Sequence, residues 1–196
     1  MKEYVIKRFL GNWNEINTLD VDNILWTDDY GIRMKAQIAY DDEKLYVHQI
    51  AKEANIRAEL TDKLASVCRD SCMEFYFQPS NESRYFHFEI NYNCVFYIGI
   101  MYERSSDVRL IKKDMSLFNA KTNKTEDGWE VFYEIPYHFL QVFVPGYKAN
   151  SGDYLMGNVY KCGDDTKNKH YLSWNKVETE TPDFCRSEYF GKMIFE

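Results

Sequence analysis

The sequence predicts an all-β protein, an antiparallel β-sandwich of the immunoglobulin or jelly-roll kind with one or two short helices. Short runs of alternating apolar and polar residues recur along the whole chain, separated by turn residues. Aromatic residues make up 17% of the chain, and tyrosine leads with 16 copies. Aromatic residues favour strands. Many short strands with turns between them are typical of a sandwich, although a barrel fits the same pattern.

One hairpin shows the pattern clearly. In the segment Arg33–Tyr40, the apolar residues Met34, Ala36 and Ile38 share one face, and residues 41–43 (Asp-Asp-Glu) form the turn. The other predicted strands are residues 44–50, 73–78, 85–91, 94–101, 129–135, 152–160 and 189–195.

Helical signal is weak and confined to two segments. Residues 61–67 fit one or two turns with Thr61 as the cap, and residues 136–143 fit a short helix with Pro136 in its first position.

Length and composition limit the classes of protein that the chain fits. Its 196 residues, without linker, repeat or low-complexity tract, predict a single domain over residues 1–196. The net charge of −7 argues against a nucleic-acid partner, which needs a basic surface, and against an anionic membrane. No apolar stretch reaches the length of a membrane span.

The five cysteines have no spacing typical of a disulfide framework, so we expect reduced, buried thiols. The first residues lack the apolar core of a signal peptide. We therefore expect a cytoplasmic location, or a secreted one if a leader has been removed.

The polar face of the strand at 85–91 is the first candidate for chemistry. It carries Tyr85, His87, Glu89 and Asn91. One interpretation is a solvated strand face, which is the common case. The other is a concave sheet that offers a carboxylate, an amide and a ring to a ligand, with Glu74 of an earlier strand beside them.

The pair Glu74 and Glu89 also raises the hypothesis of a glycoside hydrolase, because glycoside hydrolysis uses two carboxyl groups. Paired carboxylates are common in an acidic protein, so we rank catalysis below binding.

The C-terminal part of the chain is dense in aromatic and short polar residues. Trp174 has polar neighbours, and the segment 158–161 (Asn-Val-Tyr-Lys) lies upstream. Rings cover the apolar face of a sugar while amide, carboxylate and ammonium groups bond its hydroxyls. The pattern leaves open whether Trp174 is a core residue or a ligand platform.

Other kinds of site find little support. The four histidines have no zinc-like spacing, and Cys68 and Cys72 lack a second cysteine pair. No acidic run matches an EF-hand loop, and no glycine-rich phosphate loop is present.

Together these segments resemble carbohydrate-binding module family 9-like domains. The resemblance rests on several short segments in order along nearly the whole chain. They are residues 39–47, 70–77, 88–91 and 129–136 with Leu140, then 158–162, 173–174, 182–184 and 190–191. It implies a β-sandwich that binds a mono- or oligosaccharide without catalysis, often as an accessory to a glycan-degrading enzyme. Wider relatives, which bind haem or sugars, imply a haem-binding sandwich as an alternative. A sandwich that serves only as a protein-interaction or structural unit is a further hypothesis. Calcium, which the resemblance also implies, has no assignable position.

Carried over by position, the resemblance makes Glu74 the carboxylate that binds sugar hydroxyls, Trp174 the stacking ring and Asn158 a polar partner. We extend the expected site to Arg69, Asn91, Tyr160, Lys161 and Glu89. The family's sugar binders clamp the ring between two tryptophans, one of them shortly before the Glu74 strand. The segment 60–69 contains no aromatic residue, so half of the clamp is missing or is supplied elsewhere, for example by Tyr160.

Overall fold

The computed structural model describes residues 1–102, 106–110 and 114–196. Two curled β-sheets face each other across a hydrophobic core. The strands are β1 (Glu3–Arg8), β2 (Leu19–Val21), β3 (Asn23–Ile24), β4 (Arg33–Tyr40), β5 (Lys44–Lys52), β6 (Cys72–Pro79), β7 (Tyr85–Asn91), β8 (Phe96–Tyr102), β9 (Ser106–Leu110), β10 (Lys121–Lys124), β11 (Gly128–Pro136), β12 (Tyr154–Gly163), β13 (His170–Ser173) and β14 (Gly191–Phe195).

Strand β1 joins the two sheets. Its first four residues pair with β14 in the front sheet, whose order is β14-β12-β6-β7-β8-β9, with β13 beside β12 and β3 beside β13. Its last two residues pair with β4 in the back sheet, whose order is β10-β11-β5-β4 with β2 beside β4. Both pairings of β1 are parallel, whereas the remaining strand pairs of the described residues are antiparallel.

The predicted β-sandwich is confirmed, with a mixed rather than fully antiparallel sheet. The predicted strands at 33–40 and 85–91 have the predicted bounds, and the others differ by a few residues. Strands β1, β2, β3, β9, β10 and β13 were not predicted, because most are short or lack a clear alternation.

Helical structure is short, as expected. The segment predicted at 136–143 forms the single-turn helix α1 (Tyr137–Leu140), with Pro136 just before it. The segment predicted at 61–67 forms turns, followed by a 3-10 turn at Val67–Arg69. Within the described residues, no helix has the length and apolarity needed to span a membrane.

The main core lies between the sheets and follows the alternation of the strands. On β6, Met73, Phe75 and Phe77 point into it from the front sheet, and Val131 and Tyr133 of β11 meet them from the back sheet. All five side chains are buried. Their burial fixes the register of β6, because a slip by one residue would turn its polar side chains into the core.

A second, smaller core covers the outer face of the front sheet. Loop residues such as Leu25, Val67 and Val177 pack there against Tyr76 and Tyr85 of the strands. The face that carries Glu89 is therefore not solvated: every residue of β7 is buried. The interpretation of this strand as a wet sheet face is wrong, because loops from distant parts of the chain cover it.

Gly191 at the start of β14 makes room for the indole of Trp174. A Cβ at Gly191 would lie 2.4 Å from an indole carbon and 2.9 Å from the carbonyl oxygen of Lys2. We expect Gly191→Ala to lower the free energy of unfolding by about 1–3 kcal/mol, since the rigid ring and backbone have to move. Urea denaturation measures this. Lys192→Ala, on the partly exposed side of the same strand, is the control and should change it by less than about 0.5 kcal/mol. An unchanged midpoint for Gly191→Ala would contradict this packing.

Candidate functional site

A pocket of about 290 Å³ opens on the outer face of the front sheet. Strands β6, β7, β12 and β13 supply its floor, and loops that precede β4 and follow β13 supply its walls. Its lining residues are Trp26, Cys68, Glu74, Tyr76, Glu89, Cys162, Asp164, Tyr171, Pro182, Asp183, Phe184 and Cys185.

Two glutamates lie side by side on the floor. Glu74 of β6 and Glu89 of β7 are direct partners in the antiparallel ladder, so their side chains leave the sheet on the same face. The Tyr76 hydroxyl donates a 2.9 Å hydrogen bond to Oε1 of Glu89, and Nδ1 of His87 lies 3.0 Å from the same oxygen. Glu89 is thereby oriented, while 8% of its surface stays accessible.

Glu74 is less well satisfied. Its Oε1 accepts a hydrogen bond from the thiol of Cys162 at 2.9 Å, but its buried Oε2 has no hydrogen-bond partner among the described residues. Burial, with the charge of Glu89 as the next cause, raises the pKa of Glu74 from 4.5 to about 8. At neutral pH this carboxyl group is therefore mostly protonated, and it can donate a hydrogen bond as well as accept one.

Three aromatic rings form a wall above the glutamates. The Trp26 ring centroid lies 5.5 Å from those of Tyr171 and Phe184, edge-on to the first and tilted to the second. Trp26 and Phe184 are half-buried, so part of each ring faces the pocket. Phe184 is held from behind by Tyr160, whose ring stacks on it at 4.1 Å.

The backbone of Trp26 is strained. Its φ of 54° lies in the left-handed region, which a bulky side chain rarely adopts. The indole nitrogen donates a 2.7 Å hydrogen bond to the carbonyl of Thr179, which ties the first wall loop to the second. Strain of this kind concentrates at functional sites, because the surrounding structure must hold it in place.

The loop that carries Cys68 is anchored by the buried carboxylate of Asp70. This carboxylate pairs with Arg57 and accepts hydrogen bonds from the backbone N–H of Leu60 at 2.9 Å and from Nδ2 of Asn91 at 3.0 Å. Asn91 is therefore a structural residue of this loop, and its amide does not reach the pocket.

The lining of the pocket is acidic. Four carboxyl groups contribute to it, those of Glu74, Glu89, Asp164 and Asp183, and none of the described lining residues is a lysine, arginine or histidine. The described lining thus combines carboxyl groups, which accept hydrogen bonds, with apolar aromatic rings, and it contains no cationic side chain.

Of the eight predicted ligand residues, Glu74 and Glu89 line this pocket. Trp174 does not. Its indole is 3% exposed and belongs to the core between the sheets, where it meets the ring of Tyr4 edge-on at 6.5 Å. The expected convergence of Trp174 and Glu74 on one hollow is therefore wrong, because the two side chains lie on opposite faces of the front sheet.

The polar and aromatic partners expected on β12 are buried as well. The Asn158 amide donates to the carbonyl of Asn175 at 2.8 Å and accepts from the backbone N–H of Asn175 at 2.9 Å, so it fixes a loop. Tyr160 is fully buried behind Phe184 and offers no surface to a ligand. Its role is to support a pocket ring rather than to be one.

Lys161 lies on the inner side of β12, away from the pocket. Its buried ammonium group is 3.1 Å from Oε2 of Glu53 and 2.9 Å from Nε2 of His170. Burial alone would raise the pKa of Glu53, but the charges of Lys161 and His170 lower it. Burial, together with the positive charge of Lys161, lowers the pKa of His170 to about 4.

Arg69 is exposed and pairs with Asp165 at 2.7 Å, outside the pocket lining.

Sequence reasoning missed the rings of the pocket. Trp26 lies in a polar, loop-like stretch that gives no prediction of a role, and Phe184 belongs to a segment of the family resemblance but has no predicted role. The only sequence signal for either was an aromatic residue among short polar ones, the same signal that misplaced Trp174.

The family comparison agrees with this fold. The family model for carbohydrate-binding family 9 matches residues 7–195. The chain belongs to carbohydrate-binding family 9. This family consists of carbohydrate-binding modules, which are generally non-catalytic, so the predicted function class of carbohydrate binding is confirmed. A search of curated proteins gave no match.

Solved structures share the fold over the whole chain. A proposed carbohydrate-binding protein from Bacteroides uniformis has a TM-score of 0.85 at 24% identity, covering 100% of this chain and 99% of that one. A family 9 module from Caldicellulosiruptor kristjanssonii in complex with cellotriose has a TM-score of 0.68 at 14% identity, covering 100% and 94%. The same kind of module in complex with glucose has a TM-score of 0.66 at 14% identity, covering 100% and 96%.

The raised pKa of Glu74 gives a pH dependence of stability. Between pH 4.5 and about 8 the folded state keeps a proton that the unfolded state has lost, so stability falls as pH rises through this window. Glu74→Gln has no titrating group at this position, so its free energy of unfolding relative to the wild type should rise across the window, by up to about 1.4 kcal/mol per pH unit. Urea melts at several pH values, in a buffer with a chelating agent, measure the difference. Parallel curves for the two proteins would contradict the raised pKa.

Proposed function

We propose that the chain binds a neutral mono- or short oligosaccharide in the pocket above Glu74 and Glu89. The observation that carries the proposal is the pairing of half-exposed rings, Trp26 and Phe184, with carboxyl groups on an adjacent floor. A ring covers the apolar face of a pyranose, while the carboxyl groups bond its hydroxyls. Because Trp174 lies in the core, neither ring of the expected clamp is in the pocket, and the rings offered to the sugar are Trp26 from the loop before β4 and Phe184 from the loop after β13.

The charge of the lining selects the class of sugar. Glu74 is mostly protonated at neutral pH and Asp183 pairs with Arg186 at 3.5 Å, but Glu89 and Asp164 also line the pocket and no described lining residue is a cation, so a uronic or sialic acid would be repelled. A neutral sugar offers hydroxyl donors to carboxylate acceptors without such a penalty. Asp164 and Asp183, which are partly exposed at the rim, add two further acceptors.

The volume of the pocket sets the length of chain that it encloses. About 290 Å³ lies at the lower end of the range for ligand pockets, ~300–1,000 Å³, so one or two sugar units fill it. The complexes of the family 9 modules from Caldicellulosiruptor kristjanssonii with glucose and with cellotriose support a neutral hexose or its short oligomer.

The family favours binding over hydrolysis, because its modules are generally non-catalytic. Glu74 and Glu89 leave the same sheet face side by side, so both can bond hydroxyls of one sugar. An enzyme that degrades glycans as a partner, and a cytoplasmic location, stay predictions from the sequence.

Sugar binding should be visible through Trp26. We expect glucose or a cello-oligosaccharide to change the tryptophan fluorescence, and Trp26→Gly to abolish binding, because the ring that covers the sugar is lost. Glycine also accepts the positive φ of this position without strain. The matched control is Trp13→Ala, a half-buried tryptophan beside the back sheet, which should bind as the wild type does. Isothermal calorimetry checks both variants.

Equal binding by Trp26→Gly and the wild type would contradict the assignment of the pocket. Release of the chromophore from a nitrophenyl glycoside, lost in Glu74→Gln, would contradict the non-catalytic role.

The charge of the sugar provides a separate check. We expect glucuronic acid to bind at least about 10-fold more weakly than glucose, which corresponds to about 1.4 kcal/mol. Raising the salt concentration should narrow the difference, since screening weakens the repulsion at the partly exposed rim. Tighter binding of the acid would contradict the proposal.

A further inference from the structure

Two cysteines and a glutamate meet at the pocket floor, where Glu74 and Cys162 belong to the lining and Cys72 lies next to them. Cys72 of β6 and Cys162 of β12 are direct partners across the two strands, and Glu74 follows two residues later on the same face of β6. One donor atom of each residue lies within 4.8 Å of the donor atoms of the other two, and all three residues are buried. No other such group of three or more His, Cys, Asp and Glu donors occurs among the described residues.

A second observation points to a missing ligand rather than to simple packing. Oε2 of Glu74 is buried without a hydrogen-bond partner among the described residues. Such an atom is rare in a folded protein and calls for an explanation. No described lysine, arginine or histidine lines the pocket to supply it with a donor, and the nearby Lys161 points to the opposite face of β12.

We propose that Cys72, Cys162 and Glu74 form a binding site for a single zinc ion. Two thiolates and one carboxylate are a donor set that zinc accepts, in tetrahedral geometry with Zn–S bonds near 2.3 Å. Two such bonds place the sulfur atoms about 3.8 Å apart, within the 4.8 Å that the structure already allows. The same thiolates exclude calcium and magnesium, which take oxygen ligands.

The fourth position of the ion faces the pocket. Cys68 lines the pocket beside the three ligands, and its carbonyl oxygen accepts from the thiol of Cys162 at 3.7 Å. Water or the Cys68 thiolate completes the coordination. Binding requires Cys72, Cys162 and Glu74 each to release its proton to the solvent, and the oxidation state of sulfur does not change.

This site goes beyond carbohydrate binding; it shares Glu74 with the proposed sugar pocket, but its test needs no sugar. The experiment is a titration of the reduced, metal-free full chain with Co²⁺ and then with Zn²⁺, without any sugar. We expect one Co²⁺ per chain, with the intense visible bands of tetrahedral cobalt and a thiolate-to-cobalt charge-transfer band. Zn²⁺ should then displace the cobalt and bleach the spectrum.

Variants locate the site. Cys162→Ser and Glu74→Gln should each weaken Zn²⁺ binding by more than about 10-fold. Cys94→Ser is the matched control, since this half-buried cysteine lies beside Thr122, outside the pocket lining, and should leave binding unchanged. Trp26→Gly removes the ring proposed to bind sugar but none of the proposed zinc ligands, so it should bind Zn²⁺ as the wild type does. The metal titration therefore tests the zinc site separately from the sugar proposal.

Three results would overturn the zinc site. The first is an octahedral cobalt spectrum without a charge-transfer band. The second is a Zn²⁺ affinity of Cys162→Ser equal to that of the wild type. The third is a thiol titration of the isolated protein that finds two thiols fewer, because Cys72 and Cys162 form a disulfide. If Cys162→Ser does not fold, Cys72→Ser and the charge-transfer band of the wild type decide the question.

Discussion

The register of β6 between β12 and β7 is the constraint on which the site depends. Because Met73 and Phe75 are buried between the sheets, the alternation of the strand forces Glu74 onto the opposite face. Pairing with β7 then sets Glu89 beside it, and pairing with β12 sets Cys162 beside Cys72. The residues of the pocket floor are therefore placed by the packing of the other side of the sheet.

The two buried polar clusters of the front sheet differ in how well their charges are matched. On the inner side, Lys161, Glu53 and His170 lie within hydrogen-bond or ion-pair distance of one another. On the outer side, Glu74 and Glu89 are two acidic groups without a lysine or arginine on the described pocket lining. Removing a partner from a satisfied buried network is strongly destabilising. Oε2 of Glu74 is instead buried without a hydrogen-bond partner among the described residues, which lowers stability unless a ligand supplies that partner.

The fold and the floor of the site could be predicted from the sequence, because both follow from periodicity. Alternation in residues 73–78 and 85–91 placed Glu74 and Glu89 on a common face without any knowledge of the loops. The wall could not be predicted in this way. Trp26 reaches the pocket through a hydrogen bond to Thr179 and a ring contact with Phe184, more than 150 positions away along the chain. Contacts between loops leave no period in the sequence.

Trp174 shows the opposite error. Its polar neighbours left open whether it is a core residue or a ligand platform, and the family resemblance implied the platform. One of those neighbours, Ser173, is itself buried at the end of β13. The indole turns inward against β14, where Gly191 leaves space for it. Local polarity therefore did not indicate which face of the sheet the ring would occupy.

The most direct test of the account is a crystal structure of the chain soaked with glucose. The account predicts a pyranose with its apolar face on Trp26 or Phe184 and its hydroxyls within hydrogen-bond distance of Glu74 or Glu89. A sugar bound elsewhere, for instance on the aromatic cluster around Trp13 at the back sheet, with this pocket left without sugar, would contradict it.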